Sequence, residues 1–182
     1  FFRGRAGAMT IQPDGRILVD GAIWTTQDTL ELFVQRYSAD GGNDPTFGVN
    51  GEFRLGGFDA VAYGIVTDPA GRIYAGGTVQ APGGTRCVLV ALFPHGAADP
   101  AFGGGTGYIT PTLGRTNCVV KTIWFDTQGA IVMGADTSLG MDELAASNTG
   151  SILFARVLTA ANPATDPSGD ADADGVPNGV EA

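Results

Sequence analysis

A chain of 182 residues, 43% of them hydrophobic, is long and apolar enough for one domain with its own core, which excludes a disordered chain. Its net charge of −9, with Lys121 the single lysine, argues against nucleic acid, which needs a basic stripe, and against an anionic membrane surface. No apolar run is long enough for a membrane-spanning helix, and 29 glycines without a collagen period point to many tight turns between short strands.

The chain opens with Phe1-Phe2-Arg3, without Met or a signal peptide, and this start reads as a processed or truncated end within a longer repeat array. The first unit runs from an apolar stretch (Ala8 to Gln12) through Pro13-Asp14-Gly15 into a second stretch (Arg16 to Gly21). Pro presets φ and Gly accepts positive φ, so this pattern predicts a β-hairpin. A variable loop from Ile23 to Leu30 carries Trp24, Gln27 and Asp28; then come Phe33 to Tyr37, the turn Ser38 to Gly41, Asp44-Pro-Thr-Phe-Gly48 and a short strand from Gly51 to Leu55.

The second unit repeats this order with Pro69-Ala70-Gly71, a loop from Val79 to Arg86, Val88 to Leu92, a turn holding His95, Asp99-Pro-Ala-Phe-Gly103 and a strand from Thr106 to Thr110. The third has Thr127-Gln128-Gly129, a long loop from Asp136 to Gly150, and Phe154-Ala-Arg-Val-Leu158, and it lacks the Asp-Pro-x-Phe-Gly element. The turn glycines Gly15, Gly71 and Gly129 are spaced 56 and 58 residues apart, a period that marks a repeat architecture. The pattern predicts an all-β fold: four-stranded antiparallel units over about 1–56, 57–113 and 114–158, laid side by side as propeller-like blades. A ring closes with about four to eight blades. Blades upstream of Phe1, blades from other chains, or an open array with exposed strand edges are therefore the alternatives.

Gln12-Pro-Asp-Gly-Arg-Ile-Leu-Val, followed by Phe33-Val-Gln-Arg-Tyr-Ser-Ala-Asp-Gly and Asp44-Pro-Thr-Phe-Gly, resembles the bacterial delta-60 repeat family over roughly residues 6–160. That resemblance implies a large secreted or surface protein, propeller-like β-structure and no established catalytic residues.

Residues 159–169 read as a linker, and 170–182 as a calcium loop of the form D-x-D-x-D-G-x₅-E. Asp170, Asp172 and Asp174 would turn oxygens inward, Gly175 would allow the bend, Val176 would offer its carbonyl, Asn178 would act directly or through water, and Glu181 would bind with both oxygens. An all-oxygen set without His or Cys favours Ca²⁺ over Zn²⁺. Pro177 stands where paired EF-hands carry an aliphatic residue, so the loop is similar to thrombospondin type 3 or dockerin-like calcium loops. A solvated acidic tail is the bland alternative.

Cys87 and Cys118 both lie in apolar, strand-like runs. They are either two buried thiols or, in an oxidising compartment, a disulfide, because pairing cannot be read from sequence. The only histidine, His95, sits in a turn without a nucleophile elbow, P-loop or zincin motif, which argues against an enzyme. Asp14, Asp68 and Asp126 recur at the hairpins and are explained by turn chemistry. Trp24 with Gln27 and Asp28 would stack a sugar if exposed, or pack on a neighbouring unit if not.

The expectation is a non-enzymatic, secreted or cell-surface structural or adhesive protein. Its partners would be itself or further blades, with a glycan or protein ligand as the alternative role, and calcium would stabilise the C-terminal segment.

Overall fold

Local turn chemistry starts each hairpin. Gly15, Gly71 and Gly129 adopt φ of +85°, +80° and +81°, a left-handed conformation that a Cβ disfavours. Each glycine N–H donates to the carbonyl three residues back, on Gln12, Asp68 or Asp126, at 2.9, 2.9 and 3.1 Å. Those same residues donate their own N–H to the carbonyls of Arg16, Arg72 and Ala130 at 2.8, 2.9 and 2.9 Å. The three turns are therefore geometric equivalents. The equivalence also moves Asp14: it stands inside its turn, whereas Asp68 and Asp126 open theirs and Gln12 takes their place in the first copy.

The computed structural model of the chain describes residues 3–25, 29–111, 117–137 and 152–157. They form three antiparallel sheets. The first comprises β1 (Gly4–Ile11), β2 (Ile17–Trp24), β3 (Leu30–Tyr37) and β4 (Glu52–Leu55), ordered β1-β2-β3-β4. The second comprises β5 (Ala60–Thr67), β6 (Ile73–Ala81), β7 (Gly84–Leu92) and β8 (Tyr108–Ile109) in the same order. The third pairs β9 (Val119–Phe125), β10 (Ile131–Asp136) and β11 (Ile152–Val157). The fold is all-β, with propeller-like blades and no closed sheet among the described residues. A single 3₁₀ turn at Gly103–Gly105 shortens the strand expected from Thr106 to two residues. The linker at 159–169 and the calcium loop at 170–182 lie outside the described residues.

Register corrects the third copy by one residue. Tyr37 pairs with Ile17, Leu92 with Ile73, and Val157 with Ile131. The third-blade match to Phe33–Tyr37 is therefore Leu153–Val157 and not Phe154–Leu158. A one-residue slip in a strand sends every side chain to the opposite face, so Arg156, not Val157, is the counterpart of Arg36.

Two apolar layers hold the blades together. One contains Leu18, Leu32 and Val34 of the first sheet against Ile65, Ile73 and Val88 of the second. The other contains Tyr74, Cys87 and Leu89 of the second against Ile123, Ile131 and Met133 of the third. The middle blade is covered on both faces, so β7 reads as an unbroken apolar run from Cys87 to Leu92 instead of alternating. The first strands lie side by side, β1 along β5 and β5 along β9. Tyr63 of β5 receives Arg5 Cζ of β1 at 5.8 Å and Lys121 Nζ of β9 at 6.0 Å from its ring centre.

Candidate functional site: the charged cleft between the first two blades

Where the hairpin turns of the first two blades meet, the structure has a cleft of about 610 Å³ between the Gln12–Arg16 turn on one side and Pro69–Gly71 with Pro94 and His95 on the other. Its floor is ionic. Arg36, on β3, is buried. It donates from Nε to Asp44 Oδ2 at 2.7 Å, from Nη1 to the Pro94 carbonyl at 2.6 Å, and from Nη2 to Thr46 Oγ1 at 3.2 Å. Its guanidinium carbon also lies 4.8 Å from the centre of the Phe47 ring. Each of the three guanidinium nitrogens donates once, in a planar arrangement that a lysine ammonium could not reproduce.

The Asp-Pro-x-Phe-Gly element holds this fork in place. Asp44 Oδ1 accepts from the Thr46 N–H at 3.1 Å and from the Thr46 hydroxyl at 2.6 Å, leaving Oδ2 for the arginines. Hydrogen bonding from Thr46, with Arg36 adding its charge, lowers the Asp44 pKa to about 2 although burial opposes it. Arg16 spans the cleft mouth, 2.6 Å from Asp14 Oδ2 and 3.5 Å from Asp44 Oδ2. Its side-chain hydrogen bond holds the Asp14 carboxyl below the usual carboxylate range.

The second blade repeats the arrangement in reduced form. Arg72 stands where Arg16 stands, 3.2 Å from Asp68 and 3.3 Å from Asp99, the counterpart of Asp44. The Arg36 position there is Ala91. In the third blade Arg156 returns to that position and binds Asp126 Oδ2 at 2.6 Å and Gln128 Oε1 at 2.6 Å. The same corner is thus closed in three ways, each with an arginine fixed by an aspartate. Asp14, Arg16, Arg36 and Asp44 all belong to the first blade and are committed to one another; the Arg36 bond to the Pro94 carbonyl is what makes the cleft floor a clamp between blades.

Deeper in the same interface lies Asp20 of β2, fully buried. Its Oδ1 accepts from the Ala8 N–H at 2.6 Å, and a second backbone donor comes from Gly64 of the next blade. Oδ2 has no hydrogen-bond partner among the described residues. Burial raises its pKa to about 7 against the two backbone donors, so its charge depends on pH in the neutral range.

The residues expected from sequence separate widely. Trp24 ends β2, 43% exposed. Its N–H donates to the Arg3 carbonyl at 2.8 Å, and the Arg3 guanidinium carbon is 5.9 Å from its ring centre. Gln27 and Asp28 lie outside the described residues, as do Asp170, Asp172, Asp174, Val176, Asn178 and Glu181. Among the described residues there is no cluster of three metal-ligating side chains. His95 stacks on Phe93 at 5.7 Å, and its carbonyl accepts the Gly48 N–H at 2.8 Å across the blades.

Cys87 of β7 and Cys118, just before β9, are joined as a disulfide with Cα atoms 5.1 Å apart. The bond ties the second blade to the third. Beside it, Thr78 Oγ1 donates to the Cys118 carbonyl at 3.3 Å and accepts from the Val120 N–H at 3.2 Å.

Sequence reading missed Arg36, Arg16 and Asp20 as site residues. Two signals were present: Arg16 and Arg72 each follow the turn glycine directly, and Asp20 stands where the other copies have Gly76 and Gly134.

Residues 12–47 match the family described as a domain of unknown function (DUF5122), beta-propeller. The match spans the first hairpin through Phe47, so it takes in Arg16, Asp20, Arg36 and Asp44. It supports a propeller-like β-repeat protein. No curated protein matches the chain.

Proposed function

We propose that this chain is a non-enzymatic structural or adhesive β-propeller element of a secreted or cell-surface protein, related to the delta-60 repeats, that works as part of a larger array. The observation that carries the reading is the Arg36 clamp. A buried arginine at the centre of a cluster of four charges is spent on joining one blade to the next, through the 2.6 Å bond to the Pro94 carbonyl.

The Cys87–Cys118 bond supports an extracellular setting, because disulfides persist in oxidising compartments. Calcium at the C-terminal segment rests on the D-x-D-x-D-G-x₅-E spacing of residues 170–181, whose carboxylates would supply hard oxygen ligands.

The second reading is a carbohydrate- or protein-binding module. Its support is Trp24, an exposed indole at the end of a strand beside a cationic Arg3. Glycan and peptide arrays probed with the full chain decide between the two. No saturable ligand is the outcome expected of a structural element. One clear ligand, lost in Trp24→Ala, replaces that reading with the binder. Hydrolytic turnover abolished by His95→Ala replaces it with an enzyme.

A further inference from the structure

The first strand of each blade is an edge strand of its sheet, and the three lie side by side. Each carries or faces a β-bulge at the same place. In β5, Ala62 pairs with Gly77 and Gly64 with Gly76, which leaves Tyr63 without a ladder partner. In β9, Val120 pairs with Ala135 and Thr122 with Gly134, which leaves Lys121 without one. In β1 the ladder breaks between Ala6 and Met9, and Gly7 takes the place of Tyr63. A bulge re-aims the residue it inserts. Consecutive blades therefore present Gly7, Tyr63 and Lys121 at equivalent positions.

In the first blade that position has no room for a side chain, because a Cβ on Gly7 would run into the Ala62 carbonyl oxygen. Arg5, two residues earlier and exposed, reaches the second blade instead. Its Nη2 donates to the Tyr63 hydroxyl at 3.3 Å, and its guanidinium carbon lies 5.8 Å from the ring centre. Lys121, also exposed, comes from the third blade and sets Nζ 6.0 Å from the same centre. Both cations converge on the middle blade, so the cluster is built from β1, β5 and β9 alone.

The charge balance sets this cluster apart. Acidic residues outnumber basic ones 19 to 10, and Arg16, Arg36, Arg54, Arg72 and Arg156 each hold a carboxylate. Neither Arg5 nor Lys121 has an ion-pair partner among the described residues. Asp20, beneath the first two bulges, gives its carboxyl to the Ala8 and Gly64 N–H groups. What the cluster still offers is donors: guanidinium N–H groups, the ammonium, and the Tyr63 O–H, whose oxygen already accepts from Arg5.

We propose that Arg5, Tyr63 and Lys121 form a binding site for a tetrahedral dianionic group, sulfate or phosphate as the free ion or as a monoester, that links three consecutive blades. Two cations match two negative charges, and charge-assisted donors match the oxygens of such a group. A monovalent anion leaves one cation uncompensated. The site is separate from the Arg36 clamp and from Trp24, and it stands whether or not the chain works within an array.

The test is nuclear magnetic resonance titration of the isotope-labelled 182-residue chain, with sodium chloride holding ionic strength constant. Sodium sulfate probes the free ion and glucose 6-phosphate the monoester; saturation by either supports the site, and the tighter one identifies the source. Saturable shifts are expected at the amides of Tyr63, Gly64, Lys121 and Thr122. Arg5→Gln and Lys121→Gln should each weaken binding roughly tenfold, the worth of one hydrogen bond to a charged group. Both side chains are exposed, so the folded spectrum should persist in each variant. Arg86→Gln removes an exposed charge outside the cluster and should leave affinity unchanged. Melting gives a second reading. Sulfate strengthens burial in any protein, so the expected result is a larger rise in midpoint for wild type than for Lys121→Gln. Absence of saturation with both probes, equal affinity in wild type and Lys121→Gln, or an equal loss in Arg86→Gln would each overturn the inference.

Discussion

Arg36 of the first blade donates its Nη1 proton to the carbonyl of Pro94 in the second, 2.6 Å away, while its Nε holds Asp44 at 2.7 Å. One side chain therefore ties the Asp-Pro-x-Phe-Gly element of one blade to the second turn of the next. Removing it leaves Asp44 Oδ2 with Arg16 alone, 3.5 Å away, and takes the side-chain donor from the Pro94 carbonyl. Arg36→Ala should destabilise the chain by roughly 3 kcal/mol, the cost of breaking a buried ion pair from one side. Arg36→Lys should recover only part of this, since one ammonium cannot serve three acceptors in a plane. Urea denaturation of the three proteins measures it, and equal midpoints for wild type and Arg36→Ala would falsify the clamp.

Asp20 and Asp44 give opposite pH dependences in separate windows. Asp20 has its folded pKa raised to about 7 from 3.8, so the folded state keeps a proton that the unfolded state releases. Stability should fall as pH rises from about 4 to about 7, then level. Asp44 has its folded pKa lowered to about 2, so its contribution is complete above 3.8 and is lost as pH drops toward 2. Urea midpoints at pH 4.5, 6 and 8 should decline for the wild type and decline less for Asp20→Asn. Parallel profiles for the two proteins would remove Asp20 as the source.

Gly41 and Gly96 separate turn strain from blade contact. They sit at the same place in equivalent turns with φ of +87° and +89°. A Cβ on Gly41 meets nothing within 4 Å, whereas one on Gly96 lies 2.6 Å from the Gly48 nitrogen and 2.8 Å from the Phe47 ring. Gly41→Ala should cost about 1–2 kcal/mol, the left-handed penalty alone. Gly96→Ala should cost clearly more, because backbone or a packed ring must move. Similar losses in thermal melts would mean that the Phe47 contact is loose.

Reducing the Cys87–Cys118 bond opens a loop with a sequence separation of 31 residues between two blades. Dithiothreitol should lower stability by about 2–4 kcal/mol, the usual worth of such a cross-link. A denaturation midpoint indifferent to reductant would count against the bond as a tie between the second and third blades.

Calcium should protect the C-terminal segment alone. Limited proteolysis with EDTA should cut within residues 166–182 and leave the β-repeats intact, and calcium should slow that cleavage. Cleavage at the same rate with and without calcium would dismiss the Asp170–Glu181 loop as a site.

What is local was legible in the residues themselves. A turn closes over a few residues, so Pro13-Asp14-Gly15 and Pro69-Ala70-Gly71 carry enough information to place two hairpins, and the repeat of Gly129 places the third. The all-β class and the blade period came from the same local signals. Tertiary structure decided what depends on neighbours distant in the chain. The third blade's register was one such matter: with an apolar run at 152–158 and no Asp-Pro-x-Phe-Gly landmark, a shift of one residue fits the pattern equally well, and only pairing with Ile131 selects Arg156. Asp20 was another, because an aspartate in a strand reads as solvent-facing until the next blade covers it. The Arg36–Pro94 contact was a third: it spans 58 residues and joins two sheets, and hydrogen-bond partners of that kind leave no period in the chain.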